Sequence, residues 1–280
     1  MKNLILILIP LLFLGCKKDD LPIEVSEGTR LVKQEIYLQG TTLYKEPDFL
    51  RRFYYGKNGK LIQMEMYDRD LLKPIMRTEK KIDELGNLTL MKFFAERGEE
   101  TMTMDSYNEI YTNPETELIE KISFFSIIDD TGILKKTDER HLVYDDYHQL
   151  VADTVNLKHV SGSHSGLPTN FQYHWKNENV VKIEKFDVDE KLVEVVLIEY
   201  DNSKNYRTWD LMRDGFTLYH NLIPKGKNNI IKVERFEFGA FRSSPTCNPC
   251  KTTYRYNSFG LPYFSRTEYG KRVVYTYEKE

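Results

Sequence analysis

Long apolar runs are what this 280-residue chain mostly lacks. Past its first few residues nothing approaches the roughly 20 consecutive apolar residues that a helix needs to cross a bilayer, so no transmembrane helix is expected. An excess of basic charge is missing too. The formal net charge is -3 and the pI about 6.1. A nucleic-acid binder needs a basic stripe to neutralise phosphates, and local pairs such as Arg51-Arg52 do not supply one, so no nucleic-acid partner is expected. Helical patterning is scarce. Cysteine is rare, with three in the chain, an odd number that needs an explanation in an exported protein. What the chain does have is aromatic residues, 13% of the total, and charged residues, 30%. That mixture suits β-strands with one wet face.

The first residues account for the odd cysteine. Lys2, an unbroken apolar run from Leu4 to Leu14 and the small residue Gly15 before Cys16 are ordered as in a secretory signal peptide. Within it, Phe13-Leu14-Gly15-Cys16 resembles the bacterial lipobox, whose cysteine is acylated and becomes the mature N-terminus. The resemblance implies that residues 1–15 are removed and that Cys16 is a lipid attachment point with no catalytic duty. Two or more acyl chains on one residue would hold the protein stably at a membrane. Lys17-Lys18-Asp19-Asp20 resembles the export signal that sends Bacteroidota lipoproteins to the cell surface, with a plain solvated tether facing the periplasm as the alternative. Residues 16–29 then read as a lipidated tether and 30–280 as one β-hairpin repeat domain. Cys247 and Cys250 remain as an even pair in an oxidising compartment.

Along the mature chain one seven-residue frame returns: an apolar or aromatic residue, a polar residue, two variable positions, often Gly at the fifth and an apolar residue at the seventh. It appears as Tyr55-Gly-Lys-Asn-Gly59-Lys-Leu61, Ile82-Asp-Glu-Leu-Gly86-Asn-Leu88, Ile128-Asp-Asp-Thr-Gly132-Ile-Leu134 and Tyr256-Asn-Ser-Phe-Gly260-Leu-Pro262. Looser copies without glycine start at Tyr144, Trp175 and Tyr200, and in the second of these Asn179 stands at the fifth place, where Asn tolerates positive φ. The flanks, such as Leu61-Ile-Gln-Met-Glu-Met-Tyr67, alternate with period 2, so each frame is expected to be a turn between two strands. The fifth residue supplies a left-handed backbone, and Asp or Asn at the second can accept a bond from the backbone two residues on. A tighter hairpin is expected at Gly270-Lys271, leaving Val273 to Tyr277 as the last strand.

These hydrophobic-Tyr-Asp-x-x-Gly-x-Leu hairpins, with Tyr254 to Pro262 the nearest match, resemble the YD repeats of Rhs-type proteins and a group of Bacteroidota lipoproteins built from them. The resemblance covers most of residues 30–280 and implies an architecture without a reaction. The expected fold is all-β: a mainly antiparallel curved sheet of about eight or nine consecutive hairpins, partly rolled or barrel-like, with one buried face. Val160 to Pro168, rich in Ser and Gly, reads as a loop capping a long hairpin.

Each catalytic-looking motif has a plainer explanation. Asp130-Thr131-Gly132 matches one half of an aspartic-protease pair, but no second copy exists and the turn frame accounts for it. Gly162-Ser-His-Ser-Gly166 places His164 where a nucleophile elbow needs Ser. His159 and His164 lack the further ligands of a metal site. His141, Asp145, Asp146 and His148 form a denser cluster, but the frame starts a turn at Tyr144, so they read as a solvated turn. Cys247-Asn-Pro-Cys250 has redox-motif spacing yet precedes a strand, where a structural disulfide across a turn is the expectation. No cofactor, metal site or catalytic set is expected. The function expected is a membrane-anchored binding or scaffolding module at the cell surface, with a glycan or protein as ligand. The alternative is an envelope hydrolase whose acidic residues come from separate hairpins.

Overall fold

The computed structural model describes residues 29–38, 46–57, 59–69, 73–84, 87–96, 102–127, 132–157, 169–204, 226–238 and 248–279. They form β1 (Thr29–Tyr37), β2 (Phe49–Tyr55), β3 (Leu61–Asp68), β4 (Met76–Ile82), β5 (Leu88–Glu96), β6 (Met102–Thr112), β7 (Ile119–Ile127), β8 (Leu134–Tyr144), β9 (Leu150–Leu157), β10 (Asn170–Lys176), β11 (Asn179–Phe186), β12 (Leu192–Lys204), β13 (Asn228–Glu237), β14 (Cys250–Tyr256), β15 (Pro262–Thr267) and β16 (Arg272–Lys279). Every strand pairs antiparallel with its sequence neighbours, and β1 pairs with β16, Thr29 opposite Lys279, which closes the sheet into a barrel. The expected all-β antiparallel meander is therefore what forms, and it is fully closed.

The barrel has two rims. At the near rim the chain enters β1 and leaves β16, and the even strands end and the later odd strands begin there. The odd strands end and the even strands begin at the far rim.

The seven-residue frame builds the near-rim hairpins. Its first and seventh residues face each other across the ladder: Tyr55 and Leu61, Ile82 and Leu88, Tyr144 and Leu150, Tyr256 and Pro262. A register shift immediately precedes each first residue, so a bulge turns that side chain back toward the inside. The second residue organises the turn. Asp145 accepts the amides of Tyr147 and Gln149 on Oδ1, and Asn257 accepts those of Phe259 and Leu261 in the same way. The fifth residue is left-handed, as Gly59 at φ 72°, Gly260 at φ 74° and, without glycine, His148 at φ 60°.

Two copies escaped the sequence pattern. Thr112 to Ile119 is one residue longer and puts Glu117 at φ 58°, while Phe186 to Leu192 at the far rim uses Asp187 second and Glu190, at φ 60°, fifth. Two loose copies are corrected. Trp175 begins a two-residue turn in which Asn177 and Glu178 carry the positive φ, so Asn179 is a strand residue opposite Lys176. From Tyr200 the chain continues as β12 through Lys204, a strand where a turn was expected, and Tyr206 lies outside the described residues. Ile128 to Thr131 and the loop from Val160 to Pro168 also lie outside them. Gly270, at φ 89°, makes the last hairpin as expected, and β16 runs a little longer than Val273 to Tyr277.

The inner face holds two apolar clusters. The larger runs from β5 round to β13 and includes Met91, Ile122, Leu150, Phe171, Val180, Ile183 and Val196. The smaller joins Leu31, Phe53, Leu61, Met64, Leu261, Tyr275 and Tyr277 across the β1–β16 seam.

Candidate functional site

Three features of this wall stand out: a ring of side-chain bonds at the near rim, a buried ionic row inside, and a charged outer surface. The ring links strands that are joined covalently only at the opposite rim. Tyr55 Oη donates to the Leu31 carbonyl at 2.7 Å, Tyr144 Oη to Ile119 at 2.8 Å, Trp175 Nε1 to Leu150 at 2.9 Å and Tyr200 Oη to Val180 at 2.8 Å. Tyr254, Tyr277 and Thr112 make the equivalent bonds to Ile230, Pro262 and Leu88. The β3–β4 pair ends in Ile82, whose side chain has no donor. Each bond reaches back to the start of the preceding strand, usually 24 or 25 residues. Tyr55, Tyr144 and Trp175, which open their frames, thus have a polar duty at the tip and an apolar one along the ring.

The ionic row crosses the inside of β8 to β12. In register, Leu142 faces Asp153, Asp153 faces Phe171, Phe171 faces Lys185 and Lys185 faces Glu194. Arg140 holds Asp153 with both arms, Nε to Oδ1 at 2.8 Å and Nη2 to Oδ2 at 3.0 Å, and lies over the Phe171 ring at 4.8 Å. Tyr173 Oη also donates to Asp153. Lys185 Nζ meets Glu194 Oε2 at 2.6 Å, and Arg235 Nη1 meets Glu194 Oε1 at 3.0 Å. Arg140, Asp153, Lys185 and Glu194 are each at most 2% exposed. Burial pushes the Asp153 carboxyl up, against the pull of Arg140, and pushes the Lys185 ammonium down, against that of Glu194. These residues stand at positions that share the face of Leu142 and Ile183. A charge at an inward position of an alternating strand is the sequence signal that marks them.

The outer face alternates charges of both signs. Arg77 pairs with Glu79 at 3.0 Å, Lys182 with Glu184 at 2.7 Å, and Lys232 with Glu199 at 2.8 Å and Glu234 at 3.2 Å. Glu139 is bound by Lys136, His141 and Ser123, and the Lys136 bond is the largest cause of a carboxyl held down at about 2. His174 Nε2 sits 2.6 Å from Glu184.

Among the described residues, those singled out in the sequence do not converge. Cys16 and Cys247 lie outside the described residues, as do His159 and His164. Cys250 is disulfide-bonded and opens β14, facing Val233. His141 points outward toward Glu139, whereas Asp145 is occupied in its turn and His148 supplies that turn's left-handed residue. Asp130 and Thr131 lie outside the described residues, and Gly132 is left-handed at φ 70°.

No protein-family model matches this chain, and neither does any curated protein. Among solved structures, a porin-like protein from Bacteroides uniformis is similar over 89% of this chain and 98% of its own, at 10% identity and a TM-score of 0.37. The TcdB2-TccC3 complex is similar over 78% of this chain and 14% of its own, at 12% identity and a TM-score of 0.26. A Photorhabdus luminescens Tc holotoxin pore is similar over 84% and 16%, at 14% identity and a TM-score of 0.19. The described residues form a closed β-barrel, and its activity is to be read from its own residues.

Proposed function

We propose that this barrel is held at the outer membrane by acylated Cys16, faces water along its whole wall, and serves as a binding or scaffolding module at the cell surface. The outward charges carry this reading. A membrane-spanning barrel presents an apolar outer band about 25 Å tall, and each Lys or Arg at its midplane costs about 2–4 kcal/mol. Here Arg77, Lys136, Lys182 and Lys232 occupy the outer face on four different strands, with carboxylates beside them. The inside agrees, because residues such as Ile122, Val180, Ile183 and Val196 have no exposed area and so line no water-filled channel. Charges outside and an inside filled by packed side chains and paired charges reverse the porin arrangement. The tether joins β1 at the near rim, which turns the far rim away from the lipid.

The test is fractionation of wild type against Cys16→Ala. Wild type should sediment with membranes and be released by detergent, not by salt, while the variant should be recovered as soluble β-rich protein. A variant that remains as firmly in the membrane as wild type would overturn the reading. Protease shaving of intact cells then separates surface from periplasmic exposure, since full protection of wild type opposes the surface assignment.

A further inference from the structure

We infer that the outer face of β14 to β16 is a docking surface for a carboxylate-bearing polysaccharide. Several cations elsewhere on the wall are matched by carboxylates on the same or a nearby strand, as Arg77, Lys136 and Lys182 are. Across β14 to β16 cations face one another instead. Lys232, which Glu199 and Glu234 hold, stands opposite Lys251, Thr253 opposite Arg266, and Arg266 directly opposite Arg272. Arg255 follows on the same face of β14, opposite Phe264. Lys251, Arg255 and Arg266 are exposed and Arg272 is half-buried. Among the described residues none of these four makes an ion pair; Glu268 lies at the far rim beside Lys251, whose carbonyl accepts its amide, and Glu278 lies near the opposite rim.

Like charges directly opposite in an antiparallel ladder are destabilising. A chain with a net charge of -3 that gathers unmatched cations on one sector has a face complementary to an anion. From Lys251 to Arg272 the stripe crosses two inter-strand steps of about 4.8 Å, roughly 10 Å in all, and from Lys251 to Arg255 it runs about 13 Å along β14, so the complementary ligand is extended. Two of the guanidinium groups lie over rings, Arg255 over Phe264 at 5.5 Å and Arg272 over Tyr37 at 5.2 Å. The rings orient planar forks for two-point recognition of carboxylates and leave apolar edges beside a sugar.

Nucleic acid fits less well, because the chain as a whole carries a net charge of -3 and a handful of phosphate contacts gives weak binding. Lipid headgroups are disfavoured because Lys251, Arg266 and Arg272 lie toward the far rim, away from Thr29, where the tether joins. That exclusion of lipid rests on the anchored reading above.

The experiment uses the full chain purified in a mild non-ionic detergent, so that it reports on this face wherever the lipid proves to be. Oligogalacturonate, neutral dextran, oligothymidylate and phosphatidylglycerol vesicles are the probes. Oligogalacturonate should bind, and its affinity should fall with salt. Arg266→Ser/Arg272→Ser should weaken it by about tenfold or more, whereas Lys136→Ser/Lys182→Ser, which removes the same charge from matched pairs, should change it by less than about twofold. The first variant should keep or raise the urea midpoint, since it removes a repulsion, and this confirms that lost binding is not lost fold. Equal losses in both variants, no loss in the first, no binding of oligogalacturonate, or stronger binding of oligothymidylate, dextran or vesicles would each overturn the inference.

Discussion

Removing Arg140 should be among the most damaging single changes to this barrel, and removing its partner as well should undo much of the damage. Arg140 and Asp153 are 2% and 1% exposed and share two bonds of 2.8 and 3.0 Å. Arg140→Met keeps the packing over Phe171 but leaves the Asp153 carboxylate inside the barrel with Tyr173 alone, at a cost of about 3–5 kcal/mol. Arg140→Met/Asp153→Leu leaves no buried charge at this site, and such replacements range from neutral to stabilising, so the double variant should lie within about 1–2 kcal/mol of wild type. Urea unfolding followed by the emission of Trp175, on β10, reads all of these variants.

The pH dependence sharpens the test. Burial already pushes the Asp153 carboxyl up, and without Arg140 it rises further. An acid whose folded value exceeds its unfolded value of about 3.9 destabilises the folded state as pH rises through the folded value. The deficit of Arg140→Met should therefore shrink as pH falls from 7 toward 5. Single variants that each cost under about 1 kcal/mol and sum to the double variant would show that the pair is uncoupled, refuting the assignment.

Further outcomes follow from the same geometry. Tyr144→Phe removes the donor to Ile119 O and should cost about 1 kcal/mol by urea midpoint. Gly260, at φ 74° with open space around the Cβ position, should lose about 1 kcal/mol on change to Ala from backbone strain alone, whereas Glu190→Gly, at φ 60°, should gain up to that amount. Glu139 is held down at about 2, below its unfolded value, so its contribution is complete above roughly pH 5 and lost as pH falls toward 2. Glu139→Gln should flatten that acid limb, and an unchanged slope would remove Glu139 from the account. Since Glu139 is partly open to solvent, the change should amount to about 1 kcal/mol.

The turns were legible because their chemistry is local. Asp145 and Asn257 each bond within four residues of themselves, and Gly59 and Gly260 announce a left-handed backbone. Glu117 and Glu190 adopt the same backbone without the residue that announces it, and so their turns were missed. Asn179 suggested a left-handed position, but in a two-residue turn that role falls to Asn177 and Glu178. Closure was not legible, since β1 and β16 meet from opposite ends of the chain and no local signal records it. Arg140 and Lys185 were hidden for another reason: a lone charge in an alternating strand looks solvated until its partner on a neighbouring strand is known.

The near-rim ring also bears on how the barrel assembles. Because its bonds reach back about one hairpin, each new strand is secured by chain that has already emerged, and the wall can grow in order from Thr29. Local contacts of this kind favour rapid assembly. The seam between β1 and β16 alone waits for the last residues. Loop-closure entropy grows only with the logarithm of length, so sealing this seam costs about 3 kcal/mol more than closing a short turn. The register from Thr29–Lys279 to Tyr37–Arg272 repays that cost along the whole strand, and the outer edge of β1, the first to emerge, stays open until β16 arrives.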